Sequence, residues 1–317
     1  MYRTTSHRNR YALFTKVASG IIILAGALVM LSWIPAASIL HSFIPAAWTV
    51  EFNTGVGLLL SGVSLWLLSA YPANRTAQWS SGISAALVAL IGAVTLVEYI
   101  THTDLRIGEY LLMEFAASAR DVPDRMDGVV AVIFVLLGIA MLLLAVKVQS
   151  RWVDALTILA MLNALIPPFG YMYGTSFLYR IPYYGSVALP TTLVLVVLCA
   201  GLLASRPDRG LMALLTNKSA GGITARRLLP AAIFIPLLID RLQYWGQTAG
   251  FYDSTFARVL FTLSSMVIFT SLIAWNARLL LQLDMRRDRA EDNLRGTLQK
   301  LGSNIQALSQ ANSQLHS

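Results

Sequence analysis

Apolar residues along this 317-residue chain are grouped into eight long runs, which polar and aromatic connectors separate. A transmembrane helix needs about 20 mainly apolar residues, and each run has roughly that length. The pattern therefore predicts an all-α membrane protein with eight transmembrane helices. The predicted helices cover residues 17–35, 54–70, 83–100, 128–146, 153–173, 188–205, 228–245 and 257–280.

The spacing of apolar residues changes after the eighth run. They now recur at alternating steps of four and three, which is the heptad seam of a coiled coil. With Leu294 and every seventh residue after it at position d, a single asparagine falls at position a, which favours a parallel homodimer in fixed register. An alternative is one amphipathic helix that packs on a neighbouring domain. The seam consists of Leu294, Leu298, Leu301, Ile305, Leu308, Asn312 and Leu315.

The pattern also indicates that the runs pair into four similar hairpins within one bundle. In three hairpins the outward helix ends in an aromatic residue, and a glycine follows eleven residues after the start of the inward helix. Residues 232–280 look like a fourth, weaker copy. The alternative is that apolar helices resemble one another by composition alone. The aromatic residues are Trp33, Tyr99 and Tyr171, and the starts and glycines are Glu51 and Gly62, Asp127 and Gly138, and Pro190 and Gly201.

Composition agrees with a membrane protein, since 13% of residues are charged against about 25% in soluble domains. With the N-terminus inside, the cytoplasmic pieces hold eighteen of the 24 lysines and arginines, as the positive-inside rule requires. The net charge of +8 therefore marks cytoplasmic loops, and no nucleic-acid partner is expected. We divide the chain into a cytoplasmic tail (1–16), a membrane domain (17–282) and a cytoplasmic coiled-coil linker (283–317), without a cleavable signal peptide.

Few residues are candidates for chemistry. An ionisable group within a membrane domain is a functional hypothesis by default, so Glu98, His102, Asp240 and Arg241 are the candidate ligand-binding residues. The alternatives are an interfacial carboxylate for Glu98, a solvated histidine, and inter-helix pairing for Asp240 and Arg241. His41 and His102 lack a local ligand spacing, and the single Cys199 makes neither a disulfide nor a cysteine-based metal site. We expect no metal or other cofactor.

A glycine pair followed by an arginine pair precedes the seventh run. Gly221 and Gly222 permit a tight turn of the backbone before a helix whose first turn holds Pro230. Arg226 and Arg227 are candidates for binding anionic lipid headgroups or for coupling to the last helix. The alternative is the ordinary positive charge of a cytoplasmic loop.

Three sequence stretches resemble a known protein family. They are Gly-Tyr-Met-Tyr-Gly at 170–174, Arg-Pro-Asp-Arg-Gly at 206–210, and Ala-Gly-Gly through Arg-Arg-Leu-Leu-Pro at 220–230. The chain resembles the N-terminal multi-helix membrane sensor region of bacterial histidine kinases, often hybrid and PAS-containing, with relatives on diguanylate cyclases. This resemblance implies a sensory input module in the bacterial cytoplasmic membrane that drives a downstream kinase or cyclase domain.

No catalytic constellation occurs in the sequence. There is no phosphate-binding loop, nucleophile elbow or zinc-protease motif, so we predict that these residues are not an enzyme by themselves. Repeated hairpins also suit a small-molecule transporter, although transporters usually have broken helices and polar groups at the middle of the membrane. A membrane scaffold that only dimerises is the third hypothesis.

Overall fold

The computed structural model describes residues 4–33, 50–102, 126–148, 151–173, 187–216 and 219–315. Within these ranges every regular element is a helix and no strand occurs, which confirms the all-α prediction. The helices are α1 (Thr4–Ser32), α2 (Phe52–Ala70), α3 (Arg75–Thr101), α4 (Gly128–Ala145), α5 (Arg151–Tyr173), α6 (Leu189–Ala204), α7 (Gly210–Thr216), α8 (Ala220–Thr248) and α9 (Ser254–Leu315).

The described part of each predicted run falls mainly within one of the helices α1 to α6, α8 and α9. Seven of the helices in the described ranges are long and apolar enough to cross a membrane. The sixth predicted span, α6, has 16 residues and extends about 24 Å, less than the roughly 30 Å hydrocarbon core. A proline restricts the extension of α6 at each end, because Pro190 lies in its first turn and Pro207 comes soon after its last residue.

The chain forms two compact units, residues 1–213 and 214–317, and the boundary falls within α7. In the first unit, helices α1 to α6 each pack on the next helix in sequence, and α6 returns to α1. Helix α2 also contacts α4 and α6. These three helices supply most of the buried apolar core, whereas α1, α3 and α5 expose more of their surface.

Equivalent positions of α2, α4 and α6 fill this core. Counting from the N-cap residues Glu51, Asp127 and Ala188, the seventh and the fourteenth residues are almost completely buried in every case. A step of seven residues returns to the same face of a helix, so each helix presents one stripe to the core. The residues are Leu58, Phe134 and Leu195 in the first layer, and Leu65, Met141 and Leu202 in the second.

Glycines bring the two helices of the first and second hairpins into backbone contact. A Cβ atom on Gly26 of α1 would lie 2.5 Å from the backbone nitrogen of Leu59 in α2. A Cβ atom on Gly92 of α3 would lie 2.5 Å from the carbonyl oxygen of Ala131 in α4. Small residues allow such approach between membrane helices, so neither position has room for a side chain.

The second unit contains the hairpin of α8 and α9. The Tyr252 hydroxyl in the connecting turn donates a hydrogen bond to the carbonyl oxygen of Gln243, at 3.1 Å. Asp253 caps α9 by accepting a hydrogen bond from the backbone N–H of Phe256 at 2.8 Å. The turn also contains Gly250 at φ +78°, a conformation that glycine adopts without strain.

Helix α9 continues without a break from its apolar segment, Ser254–Gln282, into the predicted coiled-coil linker. It has 62 residues and is about 93 Å long. Leu294, Leu298 and Leu301 of the predicted seam are 61%, 59% and 56% exposed. The side chains of Ile305, Leu308, Asn312 and Leu315 lie outside the described part, and the coiled-coil dimer stays a prediction.

Candidate functional site

The aromatic residues predicted to end the outward helices make the same hydrogen bond three times. In each hairpin the indole N–H or the phenol hydroxyl donates a hydrogen bond to the carbonyl oxygen of the residue just before the N-cap of the following helix. Because polar contacts define this relationship, it supports a repeat in α1–α6 independently of apolar composition. The donor–acceptor pairs are Trp33 Nε1 to Val50 at 3.1 Å, Tyr99 Oη to Met126 at 3.3 Å, and Tyr171 Oη to Val187 at 3.0 Å.

Of the three predicted glycines, only Gly62 and Gly138 occupy equivalent structural positions. Gly62 and Gly138 each lie against the backbone of the preceding helix of their own hairpin. Gly201 lies thirteen residues after the N-cap Ala188, and a Cβ atom there would meet Ala18 and Leu65 of α1 and α2 instead. The hydrogen-bond register places the buried Cys199 at the equivalent position.

The fourth predicted copy does not share the aromatic hydrogen bond. The Tyr252 hydroxyl bonds back to Gln243, within the last two turns of the preceding helix α8. The turn between α8 and α9 is therefore held by a different hydrogen bond from the connections within α1–α6. That this hairpin is a fourth copy of the repeat stays a prediction.

Glu98 and His102 lie at the end of the bundle marked by Trp33, Tyr99 and Tyr171, which we call the aromatic end. Glu98 is 8% exposed in the last turns of α3, so its side chain is largely removed from solvent. His102 is exposed and follows the end of α3 with φ +51°. The structure therefore separates a buried carboxyl group from a surface histidine. His41 lies outside the described residues.

Asp240 and Arg241 occupy α8 and have different surroundings. Asp240 is half-buried, whereas Arg241 is exposed. The Arg241 guanidinium carbon lies 5.4 Å from the ring centre of Tyr244, one turn further along the same helix, within the range of a cation–π contact. The cation thus has an intrahelical partner, and the two adjacent charges do not form one binding group.

The Gly-Gly pair lies inside a helix, contrary to the predicted tight turn. Ser219 caps α8, because its hydroxyl oxygen accepts a hydrogen bond from the backbone N–H of Gly222 at 3.3 Å. Gly221 and Gly222 therefore belong to the first turn of α8. The helix begins eight residues before the predicted span, and it includes Pro230 and Pro236 in its interior.

The arginine pair separates into two different environments. Arg226 donates a hydrogen bond from Nη1 to the carbonyl oxygen of Leu215 in the last turn of α7. A cation at a helix C-terminus interacts favourably with the helix dipole, so Arg226 joins α7 to α8. Arg227 is exposed and remains the candidate for a lipid headgroup.

The opposite end of the bundle carries Arg75, Lys147, Arg151 and Arg206, and we call it the cationic end. A cavity of about 410 Å³ lies there among the start of α1, the ends of α2, α4 and α6, and residues 205–209. Its charged lining residues are Lys147, Arg206, Asp208 and Arg209. No pattern in the sequence predicted this cavity, and residues 206–210 were distinguished only by the family resemblance.

An ion pair borders this cavity. Arg206 Nη1 lies 3.9 Å from Asp154 Oδ1, and both side chains are mostly buried. Arg206 Nη1 makes no hydrogen bond in the described structure. Asp154 lies in the first turn of α5, where its charge also complements the helix dipole. The cavity therefore has an excess of positive charge and suits a small anionic ligand.

Metal-ligand geometry is not found in the part of the chain that the structure describes: no three histidine, cysteine, aspartate or glutamate side chains are grouped to hold an ion. No protein-family model, curated protein or solved structure matches the chain.

Proposed function

We propose that this chain is the transmembrane sensory input module of a bacterial two-component signalling protein. The observation that carries the proposal is the continuity of α9, in which one helix holds both the apolar segment Ser254–Gln282 and the polar linker as far as Leu315. A rotation, tilt or axial shift of the membrane segment is transmitted along an unbroken helix. The family resemblance at 206–210 and 220–230 supports the same function.

The predicted coiled-coil dimer would convert a movement of α9 into a change in how two linkers pack. Leu294, Leu298 and Leu301 are more than half exposed, although they form one stripe on an otherwise polar segment. A parallel partner helix would bury this stripe by knobs-into-holes packing. Three heptads are marginal as an isolated coiled coil, so the orientation of the membrane segment would bias the register of the pair.

The proposed input is a shift in helix packing within the membrane domain. The aromatic end offers the buried carboxyl group of Glu98 beside the hydrogen bond from Tyr99 to Met126. A stimulus changes the output only through its different affinity for the two packing states. A kinase or cyclase domain that follows the linker would then read the register of the coiled coil.

A phase test measures this transmission directly. Residues 1–317 are fused to a histidine kinase core, and four or seven helix-forming residues are inserted after Gln282. Four residues rotate the following helix by about 40° and shift the heptad, whereas seven preserve it closely. We expect the first insertion to lock or invert autophosphorylation and the second to restore it. Equal activity in all three fusions would refute the proposal.

Transport is the competing function, and a scaffold without sensing is the third. Against transport, each candidate span in the described ranges is one continuous helix, whereas transporter sites often use discontinuous helices at the middle of the membrane. Solute uptake into proteoliposomes that contain the chain alone would favour transport. A scaffold would be favoured if the chain dimerises but the kinase activity of the fusions is the same with the four-residue and the seven-residue insertion.

A further inference from the structure

A second cavity of about 620 Å³ opens at the cationic end, between the start of α3 and the end of α4. We call it the α3–α4 groove. Its floor is apolar and consists largely of small residues, among them Gly82, Ala86 and Ala145, beside Ile83 and Leu142. None of the described residues that line the groove is a carboxylate.

The groove exists because the two helices diverge. Nearer the aromatic end, a Cβ atom on Gly92 would lie 2.5 Å from the carbonyl oxygen of Ala131. Near the cationic end, a Cβ atom on Gly82 would meet only side chains, 3.4 Å from Ala145 Cβ and 4.0 Å from Leu142 Cδ1. The backbones are in contact at the first position and separated at the second, which leaves a wedge-shaped space.

The groove ends in polar and aromatic residues. Arg75 and Lys147 are exposed cations at its rim, and Trp79 beside them is 67% exposed. Tryptophan favours the headgroup level of a bilayer. The groove thus combines an apolar floor within two candidate membrane spans with a cationic rim at their ends.

Lys147 occupies a backbone conformation that normally favours glycine. It has φ +60° just after α4, and the backbone N–H of Val148 bonds to the carbonyl oxygen of Leu143 at 2.9 Å. This is the hydrogen bond of a Schellman motif, in which the left-handed residue is usually glycine. The lysine therefore carries backbone strain that a glycine at this position would not.

The geometry points to the α3–α4 groove as a binding site for an anionic phospholipid, with its phosphate group between Arg75 and Lys147 and an acyl chain on the floor beside Gly82 and Ala86. Charge complementarity selects the anionic headgroup, and the apolar floor selects a lipid over a free phosphate. The distribution of lysine and arginine residues predicts that this end faces the cytoplasm, where anionic lipids attract basic residues. The site does not depend on the proposed sensory function.

Thermal unfolding of the full chain tests the site, because Cys199 is the single cysteine and is fully buried. Its reaction with a thiol-specific dye reports unfolding. We expect phosphatidylglycerol to raise the midpoint temperature by several degrees over phosphatidylcholine. Arg75→Gln and Lys147→Gln should each lose at least half of this increase, while Arg151→Gln, an exposed cation outside the groove, should keep it.

Two further variants separate lipid binding from folding. Gly82→Leu fills the floor without changing charge and should abolish the increase. Lys147→Gly relieves backbone strain, so it should unfold at the same or a higher temperature in phosphatidylcholine and still lose the phosphatidylglycerol increase. Native mass spectrometry should find one fewer retained phosphatidylglycerol in both variants. An increase that survives in Lys147→Gly and Gly82→Leu, or an equal increase with glycerol phosphate alone, would overturn the proposal.

Discussion

Arg206 Nη1 and Asp154 Oδ1 are 3.9 Å apart, which joins the segment after α6 to the first turn of α5. Neither side chain is more than 15% exposed. The pair therefore holds a largely buried guanidinium group whose Nη1 atom lacks a hydrogen bond. Removing the carboxylate leaves a largely buried positive charge without this ion-pair partner.

Asp154→Asn should accordingly lower the free energy of unfolding by about 1–3 kcal/mol, below the range for fully buried pairs. The measurement is the midpoint temperature from Cys199 labelling. Adding Arg206→Gln should recover part of the loss, because the unpaired charge disappears. Asp208→Asn, at an exposed carboxylate of the same segment, should change stability by less than about 0.5 kcal/mol. Additive losses in the double variant would show that the two residues are not coupled.

The helix contacts at Gly92 and Gly26 should be intolerant of a methyl group. Gly92→Ala forces a Cβ atom against the carbonyl of Ala131 and should destabilise by about 1–3 kcal/mol, as overpacking does. Gly26→Ala should have a similar cost because its surroundings in α1 and α2 are equivalent. Gly20→Ala is the matched control, since nothing lies within 4 Å of its Cβ position, and we expect no loss there. Tolerance at Gly92 would contradict the close packing.

The hydrogen bonds at the aromatic end predict small and similar losses. Tyr99→Phe and Tyr171→Phe each remove the donor to a backbone carbonyl, which is worth about 1 kcal/mol. Tyr71→Phe changes an exposed phenol at the other end of the bundle and should be neutral. Unfolding curves of the three variants in one detergent compare them directly. Losses no larger than that of Tyr71→Phe would remove this support for the repeat.

Asp127 predicts a pH dependence of stability. Burial at the start of α4 raises the pKa of its carboxyl group from 3.8 to about 6, so the folded chain holds the proton more tightly than the unfolded chain. The stabilisation that this proton provides is complete below about pH 3.8 and is lost as the pH rises through about 6. Asp127→Asn should therefore raise the midpoint temperature at pH 7.5 and have little effect at pH 4. The same effect at both values would contradict the assignment.

The polarity pattern predicted most of the architecture. Among the described residues, each of the seven helices long and apolar enough to cross a membrane matches one of the eight predicted runs, because spanning a bilayer imposes length and composition on a helix. The sequence pattern also grouped Trp33, Tyr99 and Tyr171, whose side chains make the same type of hydrogen bond. Their hydrogen bonds to the next helix required coordinates, since a sequence does not reveal which carbonyl an aromatic side chain meets.

The predictions were wrong where glycine or proline can occur both in a turn and within a helix. Gly221, Gly222 and Pro230 were interpreted as features of a turn and a helix start, but the Ser219 cap begins α8 earlier. Gly201 was counted from Pro190, whereas the helix register starts from Ala188. The cavity at the cationic end escaped prediction because its lining comes from four separate segments, and no local spacing connects them.

The central claim is that α9 carries packing changes of the membrane domain into a parallel coiled-coil dimer. Cysteine cross-linking in native membranes tests it most directly, in a Cys199→Ala background. Leu301→Cys lies at seam position d, and Gln299→Cys, two residues earlier on the same exposed helix, lies outside the seam. Mild oxidation should give a covalent dimer with Leu301→Cys and little with Gln299→Cys. Equal cross-linking at both positions, or none at Leu294, Leu298 or Leu301, would contradict the account.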